Sequence, residues 1–252
     1  MSGELADYGS YAAVYDAHTA GVPGDVAFYR SLALEADGPI VEIGVGTGRI
    51  ALPAAEAGAT VIGLDASPAM LTIARDKARA AGPAVDGRLA LVRGDMRRWA
   101  LRRPVALVTI PFRTFLHNIT TADQLATLAA VREALQPGGR LALNVFNPDI
   151  AMIAENMRAE PGAWRPRQAP GGGVEQRVYE PTAQITRSTW SIHQPGGSSV
   201  RFSFALRYVY RYEMEHLLAR AGFAVEALFG DHFRAPFEER STEMVWIARR
   251  AG

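Results

Sequence analysis

Apolar and polar positions follow two different rhythms along this chain. Up to about residue 146, short apolar runs without strict alternation are separated by segments of helical length. Residues 8–36 read as helix, interrupted at Gly21-Val22-Pro23-Gly24, with Tyr8, Tyr11 and Tyr15 at i, i+3 and i+7 on one face. Residues 39–44 form a short strand that ends in glycines, and residues 48–57 follow as a helix closed by Gly58. Residues 60–64 form a second strand, closed by Asp65. Ser67-Pro68 supplies an N-cap and a proline at the first helical position, so a helix runs from there to about Ala81. Further strands fall at 88–92 and 105–110. Thr121 caps a helix that runs to Leu135, Pro137-Gly138-Gly139 stops it, and residues 140–146 form a fifth strand. Non-alternating apolar strands spaced by helices predict a parallel sheet covered on both faces.

The rhythm then changes. Residues 174–180, 184–194 and 198–210 alternate and are rich in β-branched and aromatic residues, and Gln194-Pro195-Gly196-Gly197-Ser198 is a hairpin-turn signal. Three antiparallel strands are expected here, inserted into the α/β order. Helical spacing returns at 211–221 and ends at Gly222, followed by strands at 223–229 and 243–248. The Pro-, Gly- and Arg-rich stretch 158–173 is expected to be the least ordered. The organisation predicted is an N-terminal helical cap over 1–36, an α/β core over 37–150 and 211–252, and an antiparallel β insertion over 151–210.

Composition narrows the chemistry. The chain has 252 residues, with 27 Lys and Arg against 26 Asp and Glu, and a net charge of +1, which argues against a generic polyanion binder. Lys77 is the one lysine. The arginines suit planar recognition of phosphate or carboxylate, but a coding bias explains them as well. Cysteine is absent, so any catalytic base must be His, a carboxylate or Tyr. No apolar run reaches the length of a spanning helix, and the first ten residues carry two acids and no base. A soluble, cytoplasmic protein with no membrane partner is expected.

The strongest motif is Val41-Glu42-Ile43-Gly44-Val45-Gly46-Thr47-Gly48, which follows a strand and opens a helix. Such glycines permit a tight turn and close approach of a ligand to the backbone. A dinucleotide fingerprint counted from Gly44 would need glycine at 49, where Arg49 stands. Counted from Gly46 it fits with Ala51, but two residues late. Asp65 at the end of the second strand can accept both hydroxyls of a ribose, which fits NAD as well as an adenosyl sulfonium. Gly94-Asp95-Met96 ends the third strand, where an acid can accept from an adenine amino group.

Taken together, Glu42-x-Gly44-x-Gly46-x-Gly48, Gly63-Leu64-Asp65-x-Ser67, Gly94-Asp95, residues 107–117 and Pro137-Gly138-Gly139 resemble the class I S-adenosylmethionine (SAM)-dependent methyltransferases. The resemblance covers residues 39–146 well and 211–249 in outline. It implies a Rossmann-like, seven-stranded, mostly parallel sheet with helices on both faces, and SAM as cofactor. By that resemblance Gly44, Gly46 and Gly48 face the methionine part of SAM, and Glu42 anchors the loop or the amino group. Asp65 holds the ribose, with Ala66 and Met70 against the adenine. Asp95 and Met96 take the adenine amino group and ring. Ile110 and Phe115 lie by the methionine, and Tyr11 or Tyr15 closes over the cofactor. The acidic residue common before strand four is missing from Pro104-Val105-Ala106-Leu107, at the edge away from the site.

Ligands of open α/β sheets bind at the carboxyl ends of the strands. Candidate acceptor contacts are therefore Phe112, Arg113, Asn147 and Phe233, with Trp190, Tyr208 and Tyr210 from the inserted lid. Candidate bases are His117, His232, His193 and Asp16; a base is needed only if the acceptor arrives protonated. No metal-ligand cluster is visible, and no metal is expected. The acceptor class indicated is a small organic molecule, in a branch resembling glycine, amino-sugar and natural-product methyltransferases, with N, O or C as the methylated atom. A nucleic-acid acceptor is disfavoured because Ile110-Pro111-Phe112-Arg113 lacks the amide or acid and second proline of the base-amino enzymes. An NAD(P)-dependent oxidoreductase is the other rival, and it lacks a Tyr-x-x-x-Lys pair around Lys77. The oligomeric state is open between monomer and homodimer.

Overall fold

A computed structural model describes residues 8–158, 165–169, 173–193 and 199–252. Two helices lead the chain, α1 (Ala12–His18) and α2 (Asp25–Glu35). Gly24 separates them in the left-handed region at φ 81°, a conformation that glycine adopts without a Cβ clash. The buried face of α2 presents Phe28, Tyr29, Leu32 and Ala33 to the sheet.

The expected α/β alternation follows as β1 (Ile40–Ile43), α3 (Ala51–Glu56), β2 (Val61–Asp65), α4 (Pro68–Ala80), a short α5 (Pro83–Asp86), β3 (Leu89–Arg93), β4 (Val105–Ile110), α6 (Thr121–Ala134) and β5 (Leu135–Phe146). Ser67 caps α4, its side chain accepting from the Met70 N–H, and Pro68 takes the first helical position, where its missing N–H is harmless. Strand β5 starts at Leu135, earlier than the glycines suggested, because Leu135 pairs with Val105 before the register shifts.

The insertion comprises α7 (Ile150–Arg158) and four strands, β6 (Arg165–Ala169), β7 (Gly173–Glu180), β8 (Ile185–His193) and β9 (Ser199–Arg207). They form one antiparallel sheet in the order β6-β7-β8-β9. The sheet therefore has one strand more than expected, and β6 lies inside the stretch read as least ordered; pairing with β7 supplies what its composition does not. The 194–198 turn lies outside the described residues. The chain ends with α8 (Arg211–Arg220), β10 (Phe223–Phe229) and β11 (Glu243–Arg250).

The main sheet has seven strands in the order β10-β11-β5-β4-β1-β2-β3. β1 pairs parallel with both β2 and β4, while β11 pairs antiparallel with β5 and β10 and is the reversed strand. Chain order turns at the β1/β4 pair, which is where open α/β sheets form their crevice. Both faces are covered, one by a cluster including Val41, Leu128 and Trp246, the other by one including Phe28, Leu32 and Leu52. Trp246 is 1 % exposed, and removing such a side chain costs about 3–5 kcal/mol. The core thus fixes the strand ends on which the site is built.

Candidate active site

A cavity of about 2110 Å³ opens between the carboxyl ends of the strands and the inner face of the inserted sheet. Its floor is the glycine loop, where three glycines serve three ends. A Cβ on Gly44 would meet Thr114 Cγ2 at 2.4 Å, so Gly44 lets the segment after β4 close on the loop. Gly46, at φ +55°, has nothing nearer its Cβ position than the Gly44 carbonyl oxygen at 3.9 Å, so it leaves space on the cavity floor. A Cβ on Gly48 would meet Leu52 Cδ1 at 2.9 Å, so Gly48 lets the loop pack on the helix that follows, and it does not line the cavity.

Asp65 ends β2 beside that floor. One carboxylate oxygen accepts the Gly46 N–H and the other the Ser67 N–H, each at 2.8 Å. Burial raises its pKa, and these amides pull it back down. Ala66, Met70 and Met96 line the same end. Glu42 lies beneath the loop, 2 % exposed. Burial lifts its pKa to about 8 against the pull of Arg49. It borders a side cavity of about 30 Å³ shared with Tyr15 and Arg49, large enough for a single water.

Three sequence-derived cofactor contacts stand elsewhere. The carboxylate of Asp95 accepts from Arg97, with Nη2 at 2.6 Å, and Arg97 continues to Asp123 at 3.0 Å. That guanidinium holds the Asp95 pKa down and keeps its carboxylate off the cavity wall, which Gly94 and Met96 form. Ile110 and Phe115 are fully buried in the core, and Thr114 takes the lining position between them.

The roof is aromatic. Tyr11 stacks on Phe202 of β9 at 4.8 Å and meets Trp190 of β8 edge-on at 5.8 Å. The Tyr8 hydroxyl hydrogen-bonds His117 Nε2 at 3.0 Å. Burial drops the His117 pKa to about 4, so the imidazole is neutral at pH 7. Tyr15 lines the cavity, with burial raising its pKa. Helix α1 is tied to the floor as well as the roof: Asp16 accepts from Thr47 Oγ1 at 2.7 Å and from Lys77 Nζ at 2.5 Å.

Of the acceptor candidates, Phe112, Arg113, Asn147, Trp190 and Tyr210 line the cavity. Phe112 and Arg113 lie in the left-handed region at φ 52° and 65°, costing on the order of 1–3 kcal/mol each. A buried network holds them there. Asn144 Oδ1 accepts the Phe112 N–H at 2.8 Å and the Tyr29 hydroxyl at 2.9 Å, and Asn144 donates to Glu243 at 2.8 Å. Glu243 also pairs with Arg113. Tyr29, Asn144 and Glu243 were not among the sequence candidates; their contacts span 99–130 residues, and no local spacing reports them.

The remaining candidates lie apart from the cavity. His232 is buried against Phe28 and Tyr29 of α2, at 5.5 and 5.7 Å. His193 is exposed and hydrogen-bonded to Ser199 at 2.9 Å. Tyr208 is buried behind Tyr210, and Phe233 is 71 % exposed on the surface. Among the three histidine candidates, only His117 reaches the cavity. Among the described residues, no group of three or more His, Asp or Glu is placed to hold a metal ion, and no helix is long and apolar enough to cross a membrane.

A glycine floor, an acid at the end of β2 and the seven-strand order with a reversed β11 define a class, and residues 40–139 match the methyltransferase domain family. The chain carries that domain in a Rossmann-like fold and is a SAM-dependent methyltransferase enzyme. It is 27 % identical over 213 residues to a cypemycin N-terminal methyltransferase of a Streptomyces species, covering 84 % of this chain and 82 % of the relative. It superposes on the CcbJ methyltransferase from Streptomyces caelestis with a TM-score of 0.84 at 28 % identity, over 99 % of this chain and 100 % of that one. It is also similar to the glycopeptide N-methyltransferase MtfA in complex with S-adenosyl-L-homocysteine (SAH), with a TM-score of 0.61 at 26 % identity over 91 % of this chain and 88 % of that one. The residues here fit the cofactor: Gly46 leaves room at its Cβ position, and Asp65 stands preset by two amides beside it.

Proposed function

We propose that this enzyme methylates a nitrogen of a small organic acceptor in natural-product metabolism, with the acceptor seated under the inserted sheet. The observation that carries this is one continuous cavity joining the glycine floor to the aromatic roof. At about 2110 Å³ it exceeds the 300–1,000 Å³ of an ordinary single-ligand site, which leaves room for an acceptor beside a cofactor. Residues 1–36 act as cap, 151–210 as acceptor lid, and the rest as cofactor-binding core.

SAM supplies a methyl group already activated on a sulfonium. The chain's own work is then alignment and exclusion of water. Gly44 and Gly46 give the backbone approach, Asp65 takes the ribose hydroxyls, and Ala66, Met70 and Met96 bracket the adenine. Glu42 faces the amino group from below. Tyr11 and Tyr15 shut the roof.

Two observations favour nitrogen. The N-terminal and glycopeptide N-methyltransferases named above are similar over most of their length. The polar side chain best placed to take a proton, His117, is a weak base with its pKa near 4, poorly matched to deprotonating an alcohol. It suits an amine that meets the methyl as its free base, with Tyr8 fixing the ring.

The test is turnover of labelled SAM against a library of small amines and their hydroxyl counterparts. Methylated amines, with SAH bound at a micromolar dissociation constant (about −8 kcal/mol), support the reading. Turnover restricted to hydroxyl acceptors or to nucleic acid would sink it. His117→Phe should lower kcat/KM about tenfold and leave SAH affinity unchanged.

A further inference from the structure

The inner face of the inserted sheet has a polar pole, and its occupant follows from chemistry. Strand register sets three rows across this face: Glu175–Trp190–Phe202, Arg177–Ser188–Phe204 and Tyr179–Thr186–Leu206. Cross-strand partners on one face lie about 5 Å apart. The β9 column is apolar and packs toward Tyr8 and Tyr11. The β7 column is polar, at the far side of the cavity from His117.

Arg177 is fixed from behind. Glu175 is 5 % exposed and accepts from Arg177 Nε at 2.9 Å and from Nη2 at 2.7 and 2.9 Å. Arg177 lines the cavity, whereas Glu175 does not. Thr186 also lines it and is 3 % exposed, and its hydroxyl has no hydrogen-bond partner in the structure. A buried unpartnered hydroxyl on a cavity wall calls for a ligand group. The catalytic end needs none of these residues.

We infer that Arg177 and Thr186 form an acceptor-recognition subsite for a carboxylate, so that the acceptor is an amine with an apolar body and an anionic tail. Guanidinium and hydroxyl both donate, and a carboxylate is the group that only accepts. Glu175 already balances the charge of Arg177, so the gain comes from directed hydrogen bonds and is about tenfold in affinity. This inference rests on the acceptor reading above.

The probes are 4-aminophenylacetate and its methyl ester, titrated into the full-length, SAH-saturated protein. The acid is expected to bind about tenfold more tightly than the ester. Removing both charges together, Glu175→Gln with Arg177→Gln, leaves no unpaired buried ion and should erase the gap. Thr186→Val keeps the shape of the side chain and should narrow it. Neither variant should change SAH affinity. Equal binding of acid and ester, or a gap that survives in both variants, overturns the subsite. Failure of the acceptor reading is distinguishable, because it shows as absent amine turnover in the library.

Discussion

The two ends of the cavity are built by different means. The end proposed for the cofactor uses backbone and short side chains close in sequence: Gly44, Gly46, Asp65 and Ser67 lie within 24 positions of one another, and the Asp65 carboxylate is held by amides 2 and 19 residues away. The end proposed for the acceptor uses large side chains brought together from afar. Tyr8 reaches His117 across 109 residues, and Tyr11 meets Phe202 of the inserted sheet. A fixed cofactor can be gripped by a short, tight turn, whereas an acceptor wall is assembled by packing and can vary without disturbing the floor. Variants at the two ends should therefore separate cofactor affinity from acceptor affinity.

The largest effect is expected where the two ends join. Asn144→Leu strips partners from the Tyr29 hydroxyl, the Phe112 N–H and Glu243 at once. Leaving buried polar groups and an acid unpaired costs about 4 kcal/mol. Chemical denaturation should show a loss of that size, with both cofactor and acceptor affinity reduced. A loss below about 1 kcal/mol would show that the left-handed Phe112-Arg113 turn holds itself.

Next comes Asp65→Ala. A carboxylate with two ribose hydroxyls makes charge-assisted bonds worth roughly 1.5–3 kcal/mol, so SAH should bind about a hundredfold more weakly by calorimetry. Binding of an acceptor probe to the lid should change far less. Equal losses for both ligands would mean that the ends are not separable.

How much of this could be read in the sequence follows from the same contrast. The seven strands of the main sheet and the tight glycine loop after β1 were legible because apolar runs and turn residues are local signals. The inserted β-sheet was legible in part: three alternating stretches stood out, whereas β6, with the sequence Arg165-Pro166-Arg167-Gln168-Ala169, has no apolar alternation and is defined by its partner. Site residues failed where a distant side chain decided the outcome. His232 looks like an active-edge base until Phe28 and Tyr29, some 200 positions earlier, bury it. Asp95 looks like an adenine acceptor until Arg97 occupies it. Arg177 and Thr186 carry no motif at all; strand register alone places them on one face.

Glu42 sharpens the comparison through pH. Its pKa rises from 4.5 to about 8 on folding, chiefly by burial. The folded state therefore binds a proton that the unfolded chain has released. That stability is complete below pH 4.5 and is lost as pH rises through 8. Between pH 6 and 7.5 the ligand-free protein should lose about 2 kcal/mol, at roughly 1.4 kcal/mol per unit. Glu42→Gln should flatten the slope. Saturating SAM should flatten it too, because an ammonium beside Glu42 favours the ionised form. Calorimetry in buffers of different ionisation enthalpy would then register a proton released on binding. No release would remove Glu42 from the amino-group end.

The smallest effect is expected at the one lysine. Lys77 pairs with Asp16 at 2.5 Å, but the two side chains are 38 % and 44 % exposed, and such pairs contribute about 0.5 kcal/mol or less after screening. Lys77→Met should therefore barely move the unfolding midpoint. Its consequence is kinetic. Asp16 holds α1 to the floor through Lys77 and Thr47, while Tyr8 and Tyr11 hold the cap to the lid. Loosening the floor contact lets the cap swing with the roof, so the SAH dissociation rate should rise about two- to threefold, and more at low salt in the wild type's favour. Because Thr47 still engages Asp16, Asp16→Ala should exceed Lys77→Met in the same assay. If both variants release SAH at the wild-type rate, α1 belongs to the acceptor end alone, and the boundary between the two halves of the cavity moves to the glycine loop itself.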